Sequence, residues 1–228
     1  MTPERDSVTL LHLSDTQFGR NHRFGNLRFT TEDDKFETLI KRLEIDLDLL
    51  KKDHAVIPEA IMVTGDLAEW GMKSEFDDAL ELLVRLSEHL HIPRHHIAIV
   101  PGNHDINRKT CEAYFAGCEG DESKPAPPYW PKWKHYASMF SQFYAEVPGA
   151  TFTEEQPWAL WEMPDLRMVV AGLNSTMTES HLDETHFGPR GRGTTPVVPA
   201  AVGAIRARRM GGAGLGPSQC CARRYRGR

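Results

Sequence analysis

Hydrophobic and polar residues follow two different periods along this chain, and the periods predict strands and helices in turn. Short apolar runs are typical of buried strands. They alternate with longer segments in which apolar residues recur every three or four positions, as in amphipathic helices. The predicted strands cover residues 8–14, 60–64, 97–100, 158–162 and 167–174, and the predicted helices cover residues 33–52, 74–90 and 133–144.

The order of these elements predicts an α/β fold. Strand, helix, strand, helix and strand follow one another over residues 8–100, which favours parallel pairing with right-handed crossovers. In such a sheet, ligands bind beyond the carboxyl ends of the strands. Residues 117–131 are rich in Gly, Pro and charge, and we expect an irregular segment there.

The periodic pattern stops after Phe187. Residues 188–228 contain no Asp, Glu, Lys or Phe and are dominated by Gly, Arg, Ala and Pro. Such a composition cannot bury enough apolar surface to order a chain of this length. We therefore predict one domain over residues 7–187 and a disordered tail over residues 188–228.

Charge is divided unevenly between these two parts. All 32 acidic residues precede residue 185, whereas nine of the 27 basic residues lie in residues 190–228. The arginines could contact nucleic acid phosphates, but the acidic body does not favour a dedicated nucleic-acid binder. No segment resembles a secretory signal or a membrane span, so we expect a cytoplasmic protein without a membrane partner.

Three short polar motifs follow the first three predicted strands. They are Asp15-Thr16-Gln17, Gly65-Asp66-Leu67-Ala68-Glu69 and Gly102-Asn103-His104-Asp105. Each motif alone is ordinary loop chemistry. Three in order, each at the carboxyl end of a strand, indicate a common site.

Carboxylates and an amide in this arrangement suit the hydrolysis of phosphate esters. Two metal ions can lower the pKa of a bound water and neutralise the phosphoryl oxygens. Asp66 is the natural bridging ligand, Asp15 a ligand to the first metal and Asn103 a ligand to the second. His104 would donate a proton to the leaving oxygen, and Asp105 would orient its imidazole.

The ordered motifs D-x-[HQ], GD-x-x-E and GNHD resemble the calcineurin-like metallophosphoesterase superfamily over residues 8–187. The resemblance implies a four-layer double β-sandwich flanked by helices. It also implies a centre of two divalent ions, Mn, Fe or Zn, acting on a phosphate-ester substrate. Gln17 stands where many members have histidine. It is a neutral oxygen donor, and it favours Mn.

The resemblance also implies late ligands that this sequence lacks. The family supplies a further histidine and a Gly-His-x-His pair near the end of the fold, and no Gly-His-x-His occurs here. The domain is therefore predicted to be incomplete at its carboxyl end, with His181 and His186 as possible substitutes. We hypothesise a shift of reading frame near codon 188; the alternative is a natural basic tail on a degenerate member.

Several other residues have competing interpretations. A core role is favoured for His12, and the loop containing Arg20, His22 and Arg23 suits either phosphate contact or a plain polar surface. Four histidines that cluster around one loop are interpreted as solvated side chains rather than metal ligands. Five aromatic residues are interpreted as core packing rather than a base-stacking surface. The histidines are His89, His91, His95 and His96, and the aromatic residues are Trp130, Trp133, Tyr136, Phe140 and Phe143.

Three functions stay open from sequence alone. The first is a metal-dependent phosphoesterase acting on monoesters or diesters. The second is a scaffold or interaction module that has lost turnover. The third is a nuclease of the same superfamily.

Overall fold

The computed structural model describes residues 7–22 and 39–182. The predicted disorder of residues 188–228, the start of the first predicted helix, Arg23 and His186 lie outside these residues. The helices and strands follow in the order β1 (Leu10–Leu13), α1 (Leu39–His54), β2 (Ala60–Thr64), α2 (Lys73–Leu90), β3 (Ile97–Val100), α3 (Arg108–Gly120), α4 (Lys134–Phe143), β4 (Ala159–Met163) and β5 (Met168–Gly172).

The first three strands form the parallel sheet that the sequence predicts. Their order is β1-β2-β3. Leu10 pairs with Ala60, and Ile61 pairs with Ile97. Because the three strands run in one direction and are in register, the three polar motifs emerge at one edge of the sheet.

The last two strands form an antiparallel hairpin around a 3₁₀ turn at Pro164–Leu166. Buried and exposed residues alternate along both strands, so one face of the hairpin packs on the core. β5 lies against β3, since a Cβ atom on Gly172 would come within 2.6 Å of the Val100 Cγ1 atom. The hairpin thereby packs against the carboxyl end of β3.

Two tyrosines complete the protection of β3. The Tyr136 hydroxyl donates to the Ile99 carbonyl at 3.1 Å, and the Tyr144 hydroxyl donates to the Ile97 carbonyl at 2.5 Å. Burial raises the pKa of both phenols well above the ordinary value. Tyr136 belongs to the predicted aromatic core, which is confirmed for Trp133, Tyr136, Phe140 and Phe143, all of them buried. Trp130, the fifth predicted residue, is half-buried and packs against this core.

The helices pack around the sheet through α2. An ion pair between Arg85 and Glu44 at 3.1 Å joins α2 to α1, and an edge-to-face contact of Phe76 with Tyr136 joins α2 to α4, with ring centroids 5.9 Å apart. Among the described helices, none combines the length and the apolar character needed to cross a membrane.

Helix α3 is a feature that the sequence analysis missed. It extends to Gly120 and so overlaps the segment predicted to be irregular. Its N-terminus is fixed by Asn107, whose side-chain oxygen accepts from the Thr110 N–H at 2.8 Å, a typical N-cap. Cys111 is its one buried residue, so hydrophobic periodicity could not reveal the helix.

A buried lysine fastens the chain that follows β5. The Lys132 ammonium donates to the carbonyls of Thr176 and Met177 at 2.7 and 3.2 Å, and to that of Glu179. It also lies 4.3 Å from the centroid of the Trp133 ring. Burial lowers the pKa of Lys132 to about 7. Three carbonyl acceptors nevertheless match the ammonium form, because a neutral amine has only two protons to donate.

We expect Lys132→Met to lower the free energy of unfolding by about 3 kcal/mol, because it would leave three carbonyls without their donor. Lys134→Met is the matched control, since Lys134 is exposed two residues away and its loss should change stability by no more than about 0.5 kcal/mol. Urea unfolding of both variants measures the difference. Equal effects would show that Lys132 is not a structural anchor.

Candidate metal centre

The three polar motifs meet at the carboxyl edge of the parallel sheet. The Asp15 N–H donates to the Gly65 carbonyl at 3.2 Å, and the Gln17 N–H donates to the Asp66 carbonyl at 2.9 Å. The His104 N–H donates to Asp66 Oδ1 at 2.9 Å. The structure therefore brings together the loops that carry the predicted ligands Asp15, Gln17, Asp66 and Asn103.

These loops use backbone conformations that side chains rarely adopt. The φ angles are 57° at Asp15, 43° at Gln17 and 54° at Asp66. Each such residue costs free energy relative to an extended or helical conformation, and such positions cluster at functional sites. Three such residues at adjacent strand ends indicate that the directions of their side chains are fixed at a cost in backbone strain.

Gly102 permits the closest approach in the site. A Cβ atom at this position would lie 2.6 Å from the Asp66 nitrogen and 2.8 Å from Asp66 Cγ. No such atom could be accommodated without moving Asp66. The missing side chain of Gly102 therefore allows the Asp66 carboxylate to lie directly against the loop that carries Asn103.

Asp105 links the loop after β2 to the loop after β3. Its side chain is fully buried, and it accepts from the Ala68 N–H at 2.9 Å and from the Gly102 N–H at 2.8 Å. Burial raises the pKa of Asp105 to about 7, and the negative charge of Asp66 acts in the same direction. Asp105 thus holds the loops that position the other groups.

The orientation of His104 differs from the sequence expectation. Its Nδ1 atom lies 2.9 Å from the Glu69 carbonyl oxygen. Because a carbonyl only accepts, Nδ1 carries the proton and Nε2 is the atom available for proton transfer. Asp105 was expected to orient this ring, but its carboxylate bonds to backbone N–H groups, and the Glu69 carbonyl orients the ring instead.

Glu69 is the site residue to which the sequence analysis gave no role. Its carboxylate accepts from the Asn21 N–H at 3.2 Å and from the Asn21 side-chain amide, so it also fixes the loop after β1. The GD-x-x-E spacing contains Glu69 and was the available signal. Its function through a backbone carbonyl could not be read from residue type.

The surroundings of His22, in the loop after β1, favour packing over contact with a phosphate. Burial lowers the pKa of His22, and its ring packs on Phe18 with centroids 4.7 Å apart. Arg20 is exposed. His12, expected in the core, is instead exposed, with Nε2 2.7 Å from Thr64 Oγ1. His22 is thus a packed side chain.

Two cavities adjoin the motifs. One of about 380 Å³ is lined by Asp15, Gln17 and Asn21. The other, of about 800 Å³, is lined by Arg20, Trp70 and other side chains, including Arg108 and His181. His181 contacts Phe115, with ring centroids 4.7 Å apart, so it lies on the α3 side of the larger cavity.

The donor set is chemically suited to hard divalent cations. Asp15 and Asp66 offer carboxylates, and Gln17 and Asn103 offer amide oxygens, which are the ligand types that Mn²⁺ and Mg²⁺ prefer. The recess at Gly102 leaves room for the Asp66 carboxylate beside the loop that carries Asn103. The residues present therefore fit an oxygen-coordinated metal centre.

The fold and the three motifs are typical of a metal-dependent hydrolase, and comparison with known families agrees. The calcineurin-like phosphoesterase family profile matches residues 8–187, and the chain belongs to this family. No curated protein matches the chain significantly. The family acts on phosphate esters and uses divalent metals, and the match confirms the family resemblance stated from the motifs.

We expect Gly102→Ala to lower the free energy of unfolding by about 1–3 kcal/mol, because the added methyl would overlap Asp66. Gly102 itself has φ −101°, so backbone strain does not explain the cost. Gly117→Ala is the control: its Cβ would meet nothing within 4 Å, and alanine should stabilise α3 by about 0.5–1 kcal/mol. Chemical unfolding that shows both variants equally stable would contradict the close approach.

Proposed function

We propose that the chain is a metal-dependent phosphoesterase whose dinuclear centre is held by Asp15, Gln17, Asp66 and Asn103. The observation that carries the proposal is the position of Asp66. Its backbone carbonyl bonds to the loop after β1, and its carboxylate bonds to the loop after β3. An aspartate that bonds to both neighbouring ligand loops is suited to bridging two ions.

Divalent ions bound there would lower the pKa of water and neutralise the charge of a phosphoryl group. Oxygen donors predominate, and we propose Mn²⁺ as the ion, in preference to Zn²⁺ or Fe, because softer metals favour imidazole and thiolate. The ligand positions are fixed in advance, since backbone hydrogen bonds join the loops after β1 and β2, and the carboxylates of Asp66 and Asp105 join the loops after β2 and β3.

His104 is the proposed proton donor. Its Nδ1 proton is held by the Glu69 carbonyl, so the ring presents Nε2 in a fixed direction. A protonated Nε2 can transfer its proton to the oxygen of the departing alcohol as the ester bond breaks. Asp105 is a positioning residue in this proposal, because it holds the loops through Ala68 and Gly102.

The late histidine ligands implied by the resemblance bear on the second metal. Without a Gly-His-x-His sequence, we propose that the second ion binds more weakly than the first, so that activity requires excess metal. The four-layer sandwich and its incompleteness at the carboxyl end stay predictions, as do the domain limits 7–187 and the cytoplasmic location.

We expect hydrolysis of bis(p-nitrophenyl) phosphate or p-nitrophenyl phosphate that depends on added Mn²⁺ and is lost with EDTA. Asp66→Asn should lower kcat/KM by about 100-fold or more, because a bridging carboxylate becomes a neutral amide. Asp53→Asn, at an exposed position near the end of α1, should leave the rate unchanged. Release of p-nitrophenol measures both.

The alternatives give different outcomes in the same assay. Binding of Mn²⁺ by calorimetry without turnover of any ester would identify a scaffold that has lost activity. Cleavage of DNA without turnover of the small esters would identify a nuclease. Equal activity of Asp66→Asn and wild type would overturn the proposed site.

The role of His104 makes a separate prediction. In His104→Asn the amide can still donate to the Glu69 carbonyl, but no group remains to protonate the leaving oxygen. We expect about a 100-fold loss of kcat for an alkyl phosphate ester and a much smaller loss for a p-nitrophenyl ester, whose leaving group needs no proton. A loss independent of the leaving group would assign His104 to another role.

A further inference from the structure

A second group of metal-ligand side chains lies at the opposite end of β3 from the candidate metal centre. His95 and His96 directly precede β3, and Asp165 lies in the turn between β4 and β5. The whole strand, about 13 Å at the usual rise per residue, separates the pair from the loop that carries Asn103. The group is therefore spatially distinct from the proposed catalytic site.

The ligand atoms of these three residues already lie close together. One ligand atom from each of His95, His96 and Asp165 lies within 4.8 Å of the others. His96 Nε2 and Asp165 Oδ1 are 2.9 Å apart. Two ligands of a tetrahedral zinc ion, each at about 2.1 Å, would be about 3.4 Å apart, so this pair would have to open by only about half an ångström to hold one. Within residues 7–22 and 39–182, this is the one His, Cys, Asp and Glu group that meets that distance limit.

The hydrogen bonds of His96 call for a cation at this position. Its Nδ1 atom lies 3.2 Å from the Glu59 carbonyl oxygen, so Nδ1 carries a proton. In the neutral ring, Nε2 would then direct a lone pair at the Asp165 carboxylate, and two electron-rich atoms would face one another. Either a proton or a metal ion must bind Nε2. A backbone carbonyl bonded to the other ring nitrogen is the usual support of a metal-bound histidine.

Burial and access also suit a metal site. The His96 side chain is only 6% exposed, which fixes its orientation, whereas the Asp165 side chain is 60% exposed. His95 is exposed as well. The site thus has one rigid ligand and two that an ion can reach from solvent. The sequence interpretation of all four clustered histidines as solvated side chains is wrong for His96.

We propose that His95, His96 and Asp165 bind one divalent transition metal ion, with Zn²⁺, Ni²⁺ and Cu²⁺ as the suitable class. Two imidazole nitrogens and one carboxylate oxygen match the preferences of these ions rather than those of Mg²⁺ or Ca²⁺. The ion would tie the start of β3 to the β4–β5 turn, and so fasten the two sheets together. The site is independent of the catalytic proposal.

The test uses the full chain without an affinity tag, stripped with EDTA, in the Asp66→Asn background that weakens the other centre. Zn²⁺ titration by calorimetry should show one site per chain and a higher melting temperature. Adding His95→Ala or Asp165→Asn should weaken that site by about tenfold or more and abolish the thermal shift. Both changed side chains are exposed, so the variants should fold. His54→Ala is the control, because His54 is an exposed histidine at the end of α1.

Electron paramagnetic resonance with Cu²⁺ gives a second readout, since two bound imidazoles split the signal by their nitrogen nuclei. We expect two nitrogens in the parent protein and one in His95→Ala. Unchanged Zn²⁺ affinity in both His95→Ala and Asp165→Asn would overturn the proposal and leave a protonated His96 paired with Asp165. An equal loss in His54→Ala would show adventitious binding by surface histidines only.

Discussion

The Asp105 carboxylate is the contact on which the arrangement of the strand-end loops depends. It is fully buried and bonds to one N–H from the loop after β2 and one from the loop after β3. Burial opposes its charge and raises its pKa to about 7, while the two N–H groups favour the charged form. This buried carboxylate therefore fixes the position of the loop after β3 relative to the loop that carries Asp66 and Ala68.

Strand β3 supports the loops at both of its ends. Its carboxyl end leads into the loop of Asn103 and His104, and its amino end follows His95 and His96. Tyr136 and Tyr144 satisfy carbonyls along its edge, and β5 lies beside it. Ligands held by a rigid strand keep their positions better than ligands held by a free loop. Both proposed metal sites therefore use one strand as their common support.

Local patterns sufficed for much of the fold and failed where long-range contacts decide. The strands at residues 60–64 and 97–100 were predicted with their observed limits, because continuous apolar runs report burial directly. Helix α3 was missed because it buries little more than Cys111. The partners of Asp105 and His104 could not be predicted, since they are backbone groups, of which those of Ala68 and Glu69 belong to the loop after β2. His96 was misjudged because its hydrogen-bond partners, Glu59 and Asp165, are distant in sequence.

Metal binding and turnover have different structural requirements in this chain. The oxygen donors of the candidate centre follow three adjacent strands of one sheet, and their loops are joined by hydrogen bonds among themselves. Folding of that sheet brings these loops together. In the proposed mechanism, turnover would further require a second ion held firmly and a proton donor in place, and the late histidines implied by the resemblance do not occur in the expected form. Affinity for the first ion therefore reports on the fold, whereas the metal concentration needed for hydrolysis reports on the remaining ligands.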